Sequence, residues 1–245
     1  MPTNPITTLT LFGIKPGHWR WGLAQMGTMP PKLKNIPGLS FFKLLGSGKG
    51  RVFSLNPDFY LYGFLAVWES EAMADAFFAS APIMQEYNQH SAEQWTIKLF
   101  PIRAHGLWDK VNPFIPAEPK QTNNQLIAVL TRASIRVSAL PAFWKYGKKT
   151  SQAIENAPGL IAAIGLGELP FVRQATFSIW ESQEQMVAYA YKTNHHQQVI
   201  KKTRSDNWYS EELFARFQVI SSGGTWKGKD PLAAFYKAEN KKAFL

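Results

Sequence analysis

Residues 66–70, with the sequence AVWES, return 112 positions later as SIWES at residues 178–182. Four further matches keep the same order along the chain at offsets between 113 and 121. An offset that drifts only by small insertions is typical of a duplicated unit, so we interpret the chain as two halves of one fold. The further matches pair PGL at 37–39 with PGL at 158–160, GSG at 46–48 with GLG at 165–167, Trp95 with Trp208, and GLW at 106–108 with GTW at 224–226.

The second half predicts the element order most clearly. Residues 126–136 are apolar and β-branched and predict a strand, and residues 138–156 predict a helix that tolerates Pro141 near its start. Ser182 is expected to cap a helix that runs to about Arg204, with Gln185 as its capping-box partner. The remaining segments predict strands at 160–166, 171–180 and 212–221.

This order is β-α-β-β-α-β, the ferredoxin-like unit, and residues 8–105 allow the same interpretation. We therefore predict an α+β fold in which two tandem ferredoxin-like units form a pseudo-symmetric body like a dimeric α+β barrel. The domains are expected to be an N-terminal half, a proline-rich linker, a C-terminal half that carries the cofactor, and a basic tail, at residues 1–110, 111–124, 125–232 and 233–245.

The two glycine segments do not form nucleotide-binding motifs. A phosphate loop around Gly48-Lys49 would need glycine at position 43 and Ser or Thr at position 50, which are Lys43 and Gly50. Because both segments recur in the repeat, we expect hairpin turns there. The chain also lacks G-x-S-x-G and H-E-x-x-H motifs, so nothing in it indicates a hydrolase or a zinc protease.

Composition narrows the chemistry further. The chain of 245 residues has no cysteine, which excludes disulfides, thiolate metal sites and a cysteine nucleophile. A metal would have to be held by histidine or oxygen donors, and there are only five histidines. Aromatic residues make up 14% of the chain, which suits a pocket for a large apolar or planar ligand as well as a core.

Two features bear on location and partners. The first residues lack a basic segment followed by an apolar run, and no stretch of about 18 apolar residues occurs, so we expect a cytoplasmic protein without a membrane span. The formal net charge is +10, which favours acidic partners such as nucleic acid, an anionic membrane face or an acidic protein.

Seven long segments from both halves are unusual in composition: LAQMG at 23–27, GLSFFKLLGSGKG at 38–50, LTRASIR at 130–136, GLGELPF at 165–171, QATFSIW at 174–180, WYSEELFARF at 208–217 and GTWKGKDPL at 224–232. They resemble the spheroidene monooxygenases of carotenoid biosynthesis, and the likeness extends from about Leu9 to Leu232. The resemblance implies a haem-dependent enzyme, with haem b and O₂, that converts a methylene of a long polyene to a hydroxyl and then a ketone.

If the chain holds haem, His196 is the first candidate for the axial ligand, because the family has an H-x-x-x-I stretch that His196 and Ile200 match. On a helix, Tyr189, Thr193 and Ile200 share its face. The repeat maps His196 onto Ile83 or Met84, which predicts one haem per chain, in the C-terminal half. His195 is the alternative ligand, and the histidine pair also fits a solvated helix face.

Other polar residues are candidates for the cofactor and the reaction. Arg132 and Arg136 are predicted to share a strand face and to hold a haem propionate, although a surface charge pair fits them nearly as well. Arg173 and Gln174 are the candidate catalytic residues, since one of them should face inward and the family carries histidine where this chain has Arg173. Lys43 lies in another matched segment.

The expected partners are an apolar polyene and a reduced, acidic ferredoxin-like electron donor. Peripheral contact with the inner membrane face is expected through basic residues that also suit ordinary solvation. Two alternatives remain: a ferredoxin-like haem enzyme with peroxidase-like or aldoxime-dehydrating chemistry, and an RNA-binding protein. The RNA-binding alternative is disfavoured because the RNP motif is missing, so no nucleic acid is expected. The basic residues in question are Lys145, Lys148, Lys149, Lys201, Lys202 and the tail at 237–245.

Overall fold

The computed structural model describes residues 5–50, 54–119, 125–192, 202–203 and 205–236. None of the helices in these ranges has the length and hydropathy needed to cross a bilayer. The strands are β1 (Ile6–Ile14), β2 (Leu39–Gly48), β3 (Pro57–Trp68), β4 (Ser91–Gly106), β5 (Ile127–Ile135), β6 (Leu160–Leu169), β7 (Arg173–Trp180) and β8 (Tyr209–Gly224). The helices are α1 (Trp19–Leu33), α2 (Glu71–Ser80), α3 (Pro82–His90), α4 (Leu140–Glu155) and α5 (Gln183–Lys192), with short 3₁₀ helices at Val137–Ala139 and Ala233–Phe235.

The eight strands close into one antiparallel barrel in the order β1-β3-β2-β6-β7-β5-β8-β4. Each half contributes four neighbouring strands in the same order, β2-β3-β1-β4 and β6-β7-β5-β8. That order is the one a ferredoxin-like unit produces, and its helices lie on one side of the sheet. The predicted α+β fold of two ferredoxin-like units is confirmed, with two helices rather than one between β3 and β4.

Equivalent residues of the two halves repeat the same local structure. Trp68 faces Ile6 across β3 and β1, and Trp180 faces Ile127 across β7 and β5. Both tryptophans are buried. The PGL matches also agree, because Gly38 and Gly159 adopt left-handed φ angles of 72° and 74°.

Ser182 accepts a hydrogen bond from the backbone of Gln185, as its predicted capping role requires, and Ser70 caps α2 by the same contact. The match of Trp95 with Trp208 was wrong. Trp95 lies inside strand β4 and Trp208 precedes β8, packed against helix α4.

The two glycine segments are not the hairpin turns that we expected. They lie at the ends of β2 and β6, and these strands pair with each other through Gly46 with Gly167 and Ser47 with Leu166. This pairing and the longer one between β4 and β8 join the halves and close the barrel. The segments recur because each half contributes one strand to the same two-fold seam, which neither half forms alone.

Side chains alternate between the barrel interior and the helix-facing side of the sheet. Apolar residues from all eight strands fill the interior, including Leu9, Leu65, Leu130 and Phe217. The segment predicted as a linker also contributes, since Phe114 is buried there with its ring edge-on to Phe217 at 5.0 Å. The interior is therefore a packed core, and a ligand has to be sought on the helix-facing side.

Substitution of Gly106, at the end of β4, tests how closely β4 packs against β8. It has φ of 87°, and a Cβ there would lie 2.2 Å from the backbone oxygen of Glu212. Gly228 has a similar φ of 78° but open space around the Cβ position. We expect Gly228→Ala to cost about 1–2 kcal/mol of unfolding free energy from strain alone, and Gly106→Ala to cost more, because backbone must also move. Urea unfolding of both variants measures the difference, and equal costs would contradict the β4–β8 packing described here.

Candidate functional site

The helix-facing side of the N-terminal half is filled by large side chains. Phe12, Phe64 and Tyr62 project from the strands and pack against Met84 and Tyr87 of helix α3 in one apolar cluster. The remaining cleft is about 200 Å³ including open solvent, below the range of typical ligand pockets. It is lined by Phe12, Met29, Leu33, Leu44, Phe64, Phe77, Ile83, Met84 and Tyr87.

Strand register identifies the equivalent positions in the C-terminal half. Thr10 faces Phe64 and Phe12 faces Tyr62 in the first half. At the corresponding places, Thr131 faces Thr176 and Ala133 faces Gln174. Gly165 pairs with Thr176 just as Leu44 pairs with Phe64. Every bulky residue of this set is thus replaced by a smaller one. We call these five residues the C-terminal floor: Thr131, Ala133, Gly165, Gln174 and Thr176.

The apolar packing above the C-terminal floor is interrupted. In place of one continuous cluster, the helix-facing side of this half has two among the described residues, one around Trp180 and Met186 and the other around Phe143 and Trp208. Thr131 is exposed between them, whereas its counterpart Thr10 is fully buried and hydrogen-bonded to Thr96. Since protein interiors are close-packed, a floor of smaller side chains than in the first half makes the helix-facing side of the C-terminal half the candidate site for a ligand.

Helix α5 forms one wall of this space. Tyr189 lies on it with its ring 5.2 Å from that of Trp180, and burial raises the pKa of Tyr189 to about 12. The other predicted cofactor residues, Thr193, His195, His196 and Ile200, lie outside the described residues. In the first half, Ile83 and Met84, which the repeat aligns with His196, lie in helix α3 and line the N-terminal cleft.

Arg132 is not on this side of the sheet. It faces the barrel interior, fully buried over the ring of Trp108, and is bound by Glu211 and by Glu168 at 3.3 Å. Asp109 lies 3.7 Å away. The terminal nitrogens of Arg132 are engaged by these carboxylates, and the sheet separates the guanidinium from Tyr189. The prediction that Arg132 and Arg136 share a strand face was wrong, because β5 ends at Ile135 and Arg136 is exposed beyond it.

The network around Arg132 closes one mouth of the barrel and balances three cations with three carboxylates. Lys43 pairs with Asp109 and with Glu168, and Arg173 lies 3.3 Å from Asp109. Burial by itself would raise the pKa of Asp109, but the hydrogen bond and charge of Lys43, with Arg173 and Arg132, lower it overall. Lys43 and Arg173 therefore have structural partners at the barrel mouth.

Of the two candidate catalytic residues, Gln174 is the one on the floor side. It pairs with Ala133 in register and alternates with Arg173, which faces the barrel mouth. Arg216 of β8 also lies on the floor side and donates to Gln183 Oε1 at 3.0 Å. Its counterpart Lys98 binds Glu71 and Asp75, and the C-terminal half has Gln183 and Val187 at those two positions.

Sequence reasoning missed the C-terminal floor because alanine, glycine and threonine carry no chemical signature. The signal was present in the repeat itself. Aligning the halves by strand register shows Phe12 replaced by Ala133, Leu44 by Gly165 and Phe64 by Thr176, but that register is known only once the strands are paired.

Comparison with known proteins gives close relatives along the whole chain. The chain is 36% identical over 234 residues to a spheroidene monooxygenase of Rhodobacter capsulatus, covering 94% of this chain and 96% of that protein. It is 38% identical over 228 residues to a spheroidene monooxygenase of Rubrivivax gelatinosus, covering 91% and 86%. No family model matches the chain.

Among solved structures, an aldoxime dehydratase in complex with butyraldoxime is similar at a TM-score of 0.57, covering 89% of this chain and 79% of that one. Its sequence identity of 8% limits this likeness to the fold.

Proposed function

This chain belongs to the spheroidene monooxygenase family and is an oxidoreductase of the monooxygenase class, and from that premise we propose that it oxidises a methylene of a long polyene carotenoid with a haem cofactor. The main observation that supports a haem cofactor is the C-terminal floor, where Ala133, Gly165 and Thr176 occupy the positions of bulky residues in the other half. A flat, apolar cofactor fits a space that opens between a sheet and its helices.

The residue types that the chain offers as iron ligands are compatible with haem. With no cysteine in the chain, histidine would be the first choice to bind the haem iron, and we propose His196, with His195 as the alternative. Support comes from the first half, where the residues aligned with His196 line the equivalent cleft. Tyr189, Thr193 and Ile200 are also proposed to contact the cofactor.

The haem propionates need a nearby cation, and the structure argues against the two arginines that the sequence suggested for this role. Arg132 is already bound by carboxylates inside the barrel, so it does not suit a propionate. Arg136 is exposed beyond the strand end. Arg216 lies on the floor side of β8, where it donates to Gln183 Oε1. We assign the propionate contact to Arg216, because guanidinium groups bind carboxylates well.

When bound, haem b supplies the activation of O₂ that oxidation of a methylene requires. The chain's own part is to position the polyene and to keep water out. Gln174 is proposed to orient the oxygen-bearing carbon, since its amide both donates and accepts hydrogen bonds. Arg173, paired with Asp109 at the barrel mouth, is proposed to act only by holding the start of β7 in place.

The proposed reaction has two rounds. In each, one O₂, two electrons and two protons give one inserted oxygen atom and one water. The first round converts the methylene to a secondary alcohol, and the second gives a geminal diol that loses water to leave a ketone. The electrons are proposed to come from a small acidic ferredoxin, which the net charge of +10 would attract.

Turnover of an acyclic carotenoid by purified, haem-loaded protein tests this function. Product is expected only when O₂ and a reducing partner are both present, with the hydroxylated compound appearing before the ketone. Turnover with hydrogen peroxide alone, or dehydration of an aldoxime without O₂, would instead support the alternative haem chemistries. A full Soret band with no oxidation of any carotenoid tried would contradict the proposed substrate while leaving the haem site in place.

A further inference from the structure

One end of the barrel carries an unusual number of exposed apolar side chains. They lie in three neighbouring loops: the turn after β4, the 3₁₀ helix after β5 and the β6–β7 hairpin. We call these five residues the apolar end: Leu107, Val111, Val137, Leu169 and Phe171. Val137 is 77% exposed, and Leu169 and Phe171 are 50% and 45% exposed. Large apolar side chains grouped on a surface commonly mark an interaction site.

Direct contacts hold these loops together. The backbone of Ile135, just before Val137, donates to the oxygen of Val172 in the hairpin at 2.8 Å. The turn after β4 is joined to the start of β7 by the ion pair of Asp109 with Arg173. Trp144 of helix α4 donates from Nε1 to the backbone oxygen of Phe171 at 3.3 Å. The apolar end is therefore one continuous surface.

Phe171 is exposed and adopts an unfavourable backbone conformation. Its φ of 67° is in the left-handed region, which phenylalanine rarely adopts and which is easier for glycine or asparagine. Although its ring lies 6.1 Å from that of Trp144, the side chain keeps nearly half of its exposure. A strained residue that presents an aromatic ring to solvent indicates a role for the ring outside the fold.

Basic residues surround the apolar end. Lys110, Arg136 and Lys145 are exposed, and no carboxylate of the described residues forms an ion pair with any of them. Asp109, Glu168 and Glu211 are occupied by the balanced network at the barrel mouth, whereas Glu212 is exposed at the start of β8 outside that network. Exposed apolar side chains among unneutralised cations complement a bilayer with anionic headgroups, in which rings enter the interface and cations meet phosphate.

The apolar end also adjoins the C-terminal floor. Gln174 and Ala133 of the floor face each other one residue inward from Arg173 and two residues inward from Ile135. The opposite end of the barrel exposes Leu55 and Phe59, but it carries the β2–β3 hairpin, whose half has its helix-facing layer filled. The first end is therefore the one that adjoins the smaller residues of the C-terminal floor.

We propose that the apolar end is a docking surface for an anionic lipid bilayer, from which an apolar substrate reaches the C-terminal floor. The delivery of substrate rests on the proposed function, whereas the docking itself does not. The proposed surface consists of the turn after β4 together with the 3₁₀ helix and the hairpin of the C-terminal half, with basic residues at its rim. It includes Lys145, one of the basic residues that the sequence suggested for membrane contact.

Flotation with lipid vesicles tests the docking without haem or carotenoid. Wild-type protein is expected to bind vesicles of phosphatidylcholine with phosphatidylglycerol, and to bind pure phosphatidylcholine much less. Leu169→Asp and Phe171→Asn should each reduce the partition coefficient by roughly tenfold, because each variant removes one large apolar side chain that would be buried in the membrane interface. Phe171→Asn also suits the left-handed backbone, so the hairpin is expected to stay folded.

The matched control is the double variant Leu55→Asp/Phe59→Ser at the opposite end, which should bind vesicles like wild type. The triple variant Lys110→Gln/Arg136→Gln/Lys145→Gln should lose the preference for anionic lipid while it keeps the apolar surface. Unchanged binding by Leu169→Asp and Phe171→Asn, or an equal loss in the control, would overturn the proposal. Because no turnover is measured, failure here is distinct from failure of the proposed function.

Discussion

The double variant Gly165→Leu/Thr176→Phe is expected to lose almost all haem uptake while its melting temperature rises. These substitutions give the C-terminal floor the residues found at Leu44 and Phe64 of the other half. Burying a Leu or Phe side chain stabilises a fold by about 1.5–3 kcal/mol where the space exists, and each kcal/mol raises the melting temperature of a domain this size by about 2–4 °C. Filled space no longer admits a planar cofactor.

Titration of the apoprotein with haem, followed at the Soret band, measures the uptake, and a thermal melt measures the stability. At equimolar haem, the Soret absorbance should fall to below about a tenth of the wild-type value. The matched control is Leu44→Ile/Phe64→Leu, which alters the equivalent positions of the N-terminal half and should leave haem uptake intact. A stabilised floor variant that binds haem like wild type would show that haem, if present, lies elsewhere. Thr131→Leu provides a milder second filling of the same floor.

His196→Ala is expected to abolish the Soret band of the purified protein, or to reduce it to weakly bound haem that gel filtration removes. An axial histidine bond and the cofactor's fit in its pocket act together, so losing the bond should weaken haem binding by about 100-fold or more. Absorption spectra as isolated, and after dithionite with carbon monoxide, distinguish a missing haem from a changed ligand. Added imidazole should restore part of the band by occupying the vacated position.

His195→Ala is the control for this variant, because it removes a histidine one residue away and about 100° around an ideal helix. It should retain a normal Soret band. If His195→Ala loses the band and His196→Ala keeps it, the ligand assignment moves by one residue and the C-terminal haem site stands. If both variants and wild type lack haem after expression with a haem precursor, the cofactor proposal is contradicted.

Much of the architecture could be predicted from the sequence because it depends on residues close together in the chain. The repeat of AVWES and SIWES marked two halves, and the alternation of short apolar segments with helical ones indicated the ferredoxin-like order that the structure confirms. The cap at Ser182 was also predictable, since its partner lies only three residues away. Counting residue types excluded thiolate chemistry without any structure.

Predictions that depended on which side of a sheet a residue faces fared less well. Arg132 is on the barrel side and Gln174 on the helix side, and a shift of one residue in strand register would exchange such sides. The glycine segments were mistaken for turns because their partner strand is more than 100 residues away in the other half. Pairing at that distance leaves no local signal in the composition of either segment.

By itself, then, the sequence determined a duplicated ferredoxin-like chain without thiols, because periodicity, capping and repetition are properties of neighbouring residues. Only the tertiary structure decided that the strands close into one barrel, that Arg132 belongs to its mouth, and that small residues open the C-terminal floor. The physical reason is that small size matters only relative to the larger residues at the equivalent positions of the other half. Ala133, Gly165 and Thr176 gain meaning only when long-range strand pairing places them opposite the positions of Phe12, Leu44 and Phe64 in the other half.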